Sequence, residues 1–303
     1  MSARQLHTES SRATPVRSGS RHGDSSFDRI HQALDGYFAK AVEARKRLLD
    51  GPYDAKLIHA WRVNLRRITA TLKDVARWSD DDLHDVHAYL RTAREATGQS
   101  RDIDILLEET LRGFLEKKDH DAVAEKLPAK LVDQQQQAHQ QAVIALKKHS
   151  LTVPLRAWRH WAASVEPPSD SMMKKLAAGA IERRYGVLLK RAAKLDGGQK
   201  RLHRLRTATK KLRYSIELYQ HAFPKQATTA WLKQLADLQT HLGLAHDRMM
   251  GRELIASLAP DDRQAIKPVR RWARQTAYDA SKDATQSLAA LDRLKPYWRS
   301  RAH

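Results

Sequence analysis

The sequence predicts an all-α protein built from two similar helical halves, and three observations carry this prediction. Apolar residues recur at helical spacing along the chain, with few runs of β-branched residues. The segment LIHAWRVNLRRI at 57–68 returns as RLHRLRTATKKL at 201–212. Glycines separate helical segments at corresponding places in the two halves. Short loops between amphipathic helices favour four-helix bundles, so we expect two pseudo-symmetric bundles.

The first half is expected to span 27–165, after a disordered basic N-terminal arm at 1–26 that is rich in Ser, Arg and Thr. Gly51-Pro52 ends the first helix, and Gly98 ends the third. The predicted segments are helices at 27–49 and 54–78, a third capped by carboxylates at 80–82 and running to 96, a fourth starting near 101, a long polar helix around 134–137, and a segment with Trp158 and Trp161.

A linker is expected at 166–171, where Pro167-Pro168 interrupts the helical pattern. The second half then covers 172–303. Its predicted helices run from 172 to 195, from about 199 to 223, from 227 to 242, and from about 247 onward, with Gly243 as a break. Each half therefore reads as helix, basic helix, helix, glycine turn, aspartate and helix.

The repeated segment places a histidine and a row of cations on one stripe of a helix. Offsets of 3 and 7 residues return to nearly the same side, because each residue advances by about 100°. The matched residues, separated by 144 positions, are His59, Arg62, Arg66 and Arg67 in the first copy and His203, Arg206, Lys210 and Lys211 in the second. Lys73 and Arg213 extend the two stripes, and apolar residues such as Trp61 and Leu205 occupy the opposite faces.

Both stripes lack acidic residues. No Asp or Glu occurs between Asp54 and Asp74, or between Asp196 and Glu217. A solvated helix normally pairs acids with bases three or four residues apart, and like charges at that spacing destabilise it by roughly 0.2–0.5 kcal/mol per pair. Both copies of the segment retain this repulsion between like charges, which predicts that they form a site for an external polyanion. Facing stripes would line a cationic cleft shared by both halves.

An aspartate follows each glycine by four residues: Asp102 after Gly98 and Asp247 after Gly243. It could cap a helix, which is the expected role, since a carboxylate at an N-terminus stabilises the helix by roughly 0.5–2 kcal/mol. Alternatively it could accept hydrogen bonds from a stripe arginine. Arg101 adds a cation at the edge of the cleft, where the second copy has His246.

Charge and composition exclude several classes of function. The chain has 55 Lys and Arg against 35 Asp and Glu, a net charge of +20 that favours anionic partners. Cysteine is absent, so disulfides, thiolate metal sites and thiol catalysis are excluded. His-x-x-Arg supplies no second metal ligand one turn away, so neither a metal nor another cofactor is expected. No apolar run long enough to cross a membrane and no secretory signal occur, which suits a cytoplasmic protein.

These residues resemble the CHAD family, the conserved histidine α-helical domain. The resemblance rests on His59-x-x-Arg62-Val63-x-x-Arg66-Arg67, on His203-x-x-Arg206-x-x-x-Lys210-Lys211-x-Arg213-Tyr214, and on Arg101-Asp102 and Asp247 after the glycines. It covers roughly 27–299. Thr69-Ala70 stands where the second copy has Arg213-Tyr214, so the halves are expected to contribute unequally.

The resemblance implies two four-helix bundles around a basic surface that binds inorganic polyphosphate, often at polyphosphate granules. Some relatives carry a triphosphate tunnel metalloenzyme domain, but its Glu-x-Glu-x-Lys motif is missing from this sequence, so a stand-alone binding protein is expected. The implied contacts are His59, Arg62, Arg66, Arg67, Lys73, Arg101, His203, Arg206, Lys210, Lys211 and Arg213.

Two other functions stay open at this point. Basic helices also suit the phosphate backbone of nucleic acid, although no helix-turn-helix, zinc finger or RNA-recognition motif is present and no aromatics interleave with the stripes. A phosphohydrolase or phosphotransferase would need metal-binding carboxylates or an activated nucleophile near the anion, and the stripes offer neither. The sequence therefore favours a binding protein over an enzyme.

Overall fold

The computed structural model describes residues 25–78, 83–117, 126–195 and 198–299. Nearly all of the predicted arm at 1–26 and the predicted capping carboxylates at 80–82 lie outside these ranges. Within them the regular structure is helical, with no β-strand, so the predicted all-α class is confirmed. No helix in these ranges is long and apolar enough to cross a membrane.

The first half contains α1 (Ser26–Asp50), α2 (Ala55–Val75), α3 (His84–Glu95), α4 (Gly98–Ile105), α5 (Arg112–Leu115), α6 (Leu127–Lys130), α7 (Val132–Lys148) and α8 (Thr152–Ser164). A π-helical turn, Leu106–Leu111, joins α4 to α5. The second half contains α9 (Asp170–Ala192), α10 (Gln199–Tyr219), α11 (Lys225–Leu258) and α12 (Arg263–Asp292). Short 3-10 turns follow α10 and α12, at Gln220–Ala222 and Tyr297–Arg299.

The predicted break at Gly243 is wrong, because α11 continues through this residue without interruption. A glycine inside a helix costs about 1 kcal/mol relative to alanine. Helix α11 packs along both α10 and α12 over much of its length, and this burial outweighs that cost. At Gly98, by contrast, the chain does turn, since α3 ends at Glu95 and α4 begins at Gly98.

The internal repeat extends to the helix caps. Ser25 caps α1 by accepting a hydrogen bond from a backbone N–H three residues on, and Ser169 caps α9 in the same way. The starts of these two helices meet, since the backbone N–H of Ser26 donates to Asp170 at 3.1 Å. Because a serine cap satisfies an otherwise unpaired N–H, the same local chemistry begins each half.

The two halves share one hydrophobic core. It runs from Phe27 on α1 to Trp298 in the last turn. It includes fully buried side chains from α2 and α10, the two helices that carry the cationic stripes and are called the stripe helices below. A smaller cluster likewise joins the π-helical turn and α5 to α11 and α12. The predicted linker at 166–171 overlaps the short connection from α8 to α9, but the packing on either side of it is continuous.

A buried carboxylate ties the halves together. Asp74 at the end of α2 is 4% exposed and accepts hydrogen bonds from Arg184 on α9 at 2.9 Å and from Ser215 on α10 at 2.8 Å. Buried charges persist only where they are paired and hydrogen-bonded, as this one is. The contact fixes α2 against α9 and α10, and so fixes the register of the two stripes.

Four segments surround the region between the stripes. Helix α2 contacts α4 and α10, while α11 contacts the same two helices from the other side. The arrangement follows the repeat, since α4 carries Asp102 and the middle of α11 carries Asp247. The residues that the sequence singled out therefore come from adjacent helices.

Candidate functional site

The stripe helices orient their cations through their buried faces. On α2, Trp61 and Leu65 are fully buried, and Leu205 and Leu212 are fully buried on α10. Once these faces enter the core, the residues on the remaining arc must face out of it. Asp54 caps α2 by accepting a hydrogen bond from the backbone N–H of Lys56 at 2.7 Å, which fixes where the helix begins.

The two stripes come together at Arg66 and Lys210. Burial, followed by the positive charges of Arg206 and Arg66, lowers the pKa of Lys210 from 10.5 to about 6. Burial is also the main cause of the lowered pKa of Arg66, to which Arg206 and Arg101 contribute. Each half therefore places cations in the electrostatic field of the other, and the two stripes converge where α2 contacts α10.

Arg62 and Arg206 hold equivalent places in the two halves. A Cβ on Gly98 would lie 3.7 Å from the guanidinium of Arg62, and one on Gly243 would lie 3.9 Å from that of Arg206. Arg62 donates to the backbone carbonyl of Arg94 and to Thr97 Oγ1 at 3.3 Å. The Nε atoms of Arg62 and Arg206 are buried and have no hydrogen-bond partner among the described residues.

The expectation that Asp102 and Asp247 cap helices is wrong. Asp102 is the fifth residue of α4, and Asp247 lies in the middle of α11. Instead, the Asp247 carboxylate lies 3.7 Å from the guanidinium of Arg206, and Asp102 interacts electrostatically with Arg62. Burial raises the pKa of both aspartates, against the opposing effect of these arginines. The carboxylates thus hold the stripe arginines in place, which was the alternative role considered above.

The histidines of the cleft are neutral near pH 7. Burial, then the charges of Arg101, Arg66 and other nearby cations, lowers the pKa of His59 to about 4, although the residue retains an exposed edge. Burial and nearby Arg206 lower the pKa of His246 to about 4 and also lower that of His203. The rings of His203 and His246 lie 4.9 Å apart. Neutral imidazoles offer N–H donors without adding to the repulsion.

Arg67 and Arg213 face a structural partner. Glu217 lies 3.2 Å from the Arg67 guanidinium and 2.8 Å from Nε of Arg213. Arg67 also lies over the rings of Tyr37 and Tyr214, at 5.3 and 5.6 Å. Although both arginines were expected to contact the ligand, their charges are engaged with a carboxylate at the interface of the two halves.

The cationic surface continues outward from the cleft. Lys211 is exposed, and its pKa is lowered by burial of part of the side chain and by the charges of Arg184, Lys73 and Arg94. Arg94 also interacts with Arg62 and Arg66, so it links the cleft to the outer pair formed by Lys73 and Lys211. Sequence reasoning missed Arg94, which lies on α3 outside both repeated segments.

Cations in the cleft outnumber carboxylates. Its charged groups are Arg62, Arg66, Arg94, Arg101, Arg206 and Lys210, against Asp102 and Asp247. Arg101 lies on the rim, 3.9 Å from Glu108. No group of three or more His, Asp or Glu in the described ranges could hold a metal ion. The arrangement suits the binding of an anion with many oxygens, because arginine forks and a lysine ammonium converge on one space.

Comparisons with known proteins bear on the family and the fold. A family model described as CHAD domain matches residues 32–256. The fold is similar to the crystal structure of the CHAD domain from the plant Ricinus communis, with a TM-score of 0.76 and 24% identity over 90% of this chain and 93% of that one. It is also similar to PptA from Streptomyces chartreusis, with a TM-score of 0.63 and 18% identity over 88% of this chain and 100% of that one.

No curated protein matches the chain significantly. The two structural likenesses concern the fold alone, because sequence identity is low in both. The family model, however, covers most of the chain, including both stripes and both aspartates. On this basis the chain belongs to the CHAD domain family.

Proposed function

We propose that the protein binds inorganic polyphosphate along the cleft between α2 and α10. The observation that carries this proposal is the convergence of cations from the two stripes around Lys210, whose pKa is lowered to about 6 by burial and then by the charges of Arg206 and Arg66. Cations held this close repel one another, and an anion between them removes the repulsion. Charge-assisted hydrogen bonds to phosphate oxygens contribute roughly 1.5–3 kcal/mol each when they are well formed.

Polyphosphate fits the cleft better than nucleic acid does. It carries charge on every unit and has no bases, so it needs closely spaced cations and no aromatic platforms. The tryptophans of the stripe region, such as Trp61, are buried in the core and cannot stack on bases. The family resemblance supports the same ligand. Nucleic acid is the second candidate, because the net charge of +20 would attract any polyanion.

We further propose that the cleft binds without catalysing a reaction. Hydrolysis of a phosphoanhydride needs a metal-activated water or a nucleophile with an adjacent base. Asp247 lies beside the guanidinium of Arg206, Asp102 interacts electrostatically with Arg62, and His59 and His203 lie among cations. These groups suit recognition. If the protein associates with polyphosphate granules, the cleft would be the surface that attaches it to them.

The test compares two double variants of the protein. Arg66→Ala with Lys210→Ala removes one basic side chain from each half of the cleft, and both side chains carry charge when an anion raises the pKa of Lys210. Arg156→Ala with Arg159→Ala removes the same charge from the exposed side of α8. We expect the cleft variant to bind labelled polyphosphate roughly 100-fold more weakly or worse, and the control to bind within a few-fold of the unaltered protein. Circular dichroism checks that both variants fold.

A salt series with competing duplex DNA separates the two ligands. Polyphosphate bound in a dedicated cleft should persist at salt concentrations where DNA has dissociated, because backbone contacts alone weaken steeply with salt. If DNA competes equally per charge at every salt concentration, the protein is a general polyanion binder. If the folded cleft variant keeps its affinity, the site lies elsewhere.

A further inference from the structure

A second cationic surface lies on the hairpin formed by α11 and α12. It lines a cavity of about 560 Å³ and contains one cation from α11 and five from α12: Arg252, Arg263, Lys267, Arg270, Arg271 and Arg274. No acidic residue lines the cavity. Its volume falls within the roughly 300–1,000 Å³ typical of ligand sites, but its charged rim is unlike an apolar small-molecule pocket.

The cations on α12 form one stripe. At about 100° per residue, Arg263, Lys267, Arg270 and Arg274 fall within roughly 60° of one another. Val269 and Ala273 are fully buried on another face of the helix. Trp272 is held between Phe114, at 5.8 Å, and the guanidinium of Arg248, at 4.8 Å, which helps to fix the rotation of α12. The stripe is therefore held facing the cavity.

The stripe lacks the partners that a solvated helix face normally has. The first acidic residue of α12 is Asp279, beyond the last cation of the cavity. Asp262, just before the helix, is paired with Lys130. Among the described residues none of the six cations forms an ion pair, and the Nε of Arg270 is buried without a hydrogen-bond partner. Like the cleft, this surface brings several cations together, but here none of them has an acidic partner within the described ranges, and they lie outside the sequence repeat.

The cavity is separate from the cleft, although α11 contributes to both. Asp247, which holds Arg206 in the cleft, precedes Arg252 by five residues and lies about 140° away around the helix. The cleft opens between α2, α4, α10 and α11, whereas the cavity is lined only by α11, α12 and the turn between them. Anions bound at the two places would contact different faces of α11.

We propose that the α11–α12 cavity is a second binding site for condensed phosphate, independent of the cleft. The identity of the ligand rests on the proposed function, while the site itself rests on the unpaired cations around the cavity. Arginine forks can each take two phosphate oxygens, and Lys267 supplies a point charge among them. One protein chain would then hold two phosphate segments, either of one long polymer or of two.

Isothermal titration with tripolyphosphate tests the proposal, because this short anion reports on each site separately. The test variant is Arg263→Ala with Lys267→Ala and Arg271→Ala, all exposed residues. The control removes the same charge elsewhere, through Lys148→Ala, Arg156→Ala and Arg159→Ala. We expect two sites per chain in the unaltered protein and in the control, and one site in the α12 variant.

The remaining outcomes are distinct. A folded α12 variant that keeps two tripolyphosphate sites of unchanged affinity would overturn the proposal. So would a variant that no longer binds DNA but still binds tripolyphosphate at both sites. If the cleft variant keeps both sites while the α12 variant loses one, the proposed function of the cleft fails and the α12 site stands. If the triple variant does not fold, Lys267→Gln serves in its place, with a severalfold loss of affinity at one of two sites expected.

Discussion

Replacing Lys210 by methionine should stabilise the protein and weaken polyphosphate binding at the same time. The lysine lies where the stripes meet, and its pKa of about 6 means that the fold opposes its charge. Methionine fills a similar volume without a charge to bury. If the cleft stores repulsion for the sake of an anion, removing one cation relieves it.

The magnitude follows from the pKa. Each pKa unit corresponds to about 1.4 kcal/mol, so a fall from 10.5 costs the folded state at most about 5 kcal/mol at pH 7. A flexible lysine recovers part of this by moving its ammonium toward solvent. We therefore expect Lys210→Met to raise the free energy of unfolding by about 1–3 kcal/mol, and the melting temperature by roughly 2–8 °C.

The stability difference between the methionine variant and the unaltered protein should depend on pH. Because the folded pKa of Lys210 is lowered, the unfolded chain binds a proton that the folded protein does not, between about pH 6 and pH 10. The destabilisation is complete below about pH 6 and vanishes as the pH approaches 10. The advantage of the methionine variant should therefore shrink steadily from pH 6 to pH 9.

Urea denaturation at pH 6, 7.5 and 9 measures this difference, and titration with labelled polyphosphate measures the loss of affinity, which we expect to be roughly tenfold or more. Lys233→Met on α11 is the matched control, since Lys233 is exposed. Its stability and affinity should hardly change. A Lys210→Met protein that is less stable than the unaltered one, or whose advantage does not depend on pH, would refute the reasoning.

Three further predictions concern the cleft and the core. Polyphosphate binding at pH 7 should take up protons and strengthen from pH 8 to pH 5, because the anion raises the pKa of Lys210 and of the neutral histidines. Calorimetric titration in buffers of different ionisation heat measures this uptake. An affinity that does not change between pH 8 and pH 5 would contradict the prediction. Asp74→Ala should cost about 3–5 kcal/mol in urea denaturation, because it leaves the partly buried guanidinium of Arg184 and the buried hydroxyl of Ser215 without their shared acceptor. Gly251→Ala should lower the free energy of unfolding by roughly 1–3 kcal/mol, because its Cβ would lie 2.5 Å from Thr110 Oγ1. Gly186→Ala is the control, since its Cβ would enter open space, and it should raise the free energy of unfolding by up to about 1 kcal/mol. Equal effects of the two substitutions would rule out the steric explanation.

Local patterns predicted most of the helices and the composition of the cleft. Apolar spacing and glycine or proline breaks are properties of a few neighbouring residues, so the predicted bounds of α1, α2 and α10 were close to those observed. The continuity of α11 through Gly243 was missed, because it depends on packing against α10 and α12 that no local pattern records.

The parts of the site that escaped prediction depend on long-range pairing. Arg67 and Glu217 are separated by 150 positions, so nothing near Arg67 in the sequence indicates that its charge is already paired. Arg94 enters the site because α3 packs on α2. The aspartates after the glycines were assigned to caps, since their pairing with arginines on another helix appears only once the helices are placed.

The shared core has a consequence for how the protein is made. Helix α2 packs on α10, and fully buried side chains of both helices, such as Trp61 and Leu205, belong to one core. The first half therefore leaves the ribosome before the surfaces that cover it exist. At about 5–20 residues per second, completing the second half at 172–303 takes roughly 7 to 26 seconds. During that interval the part of α2 that packs on α10 stays uncovered, which makes the nascent chain a substrate for chaperones and favours keeping both halves in one polypeptide.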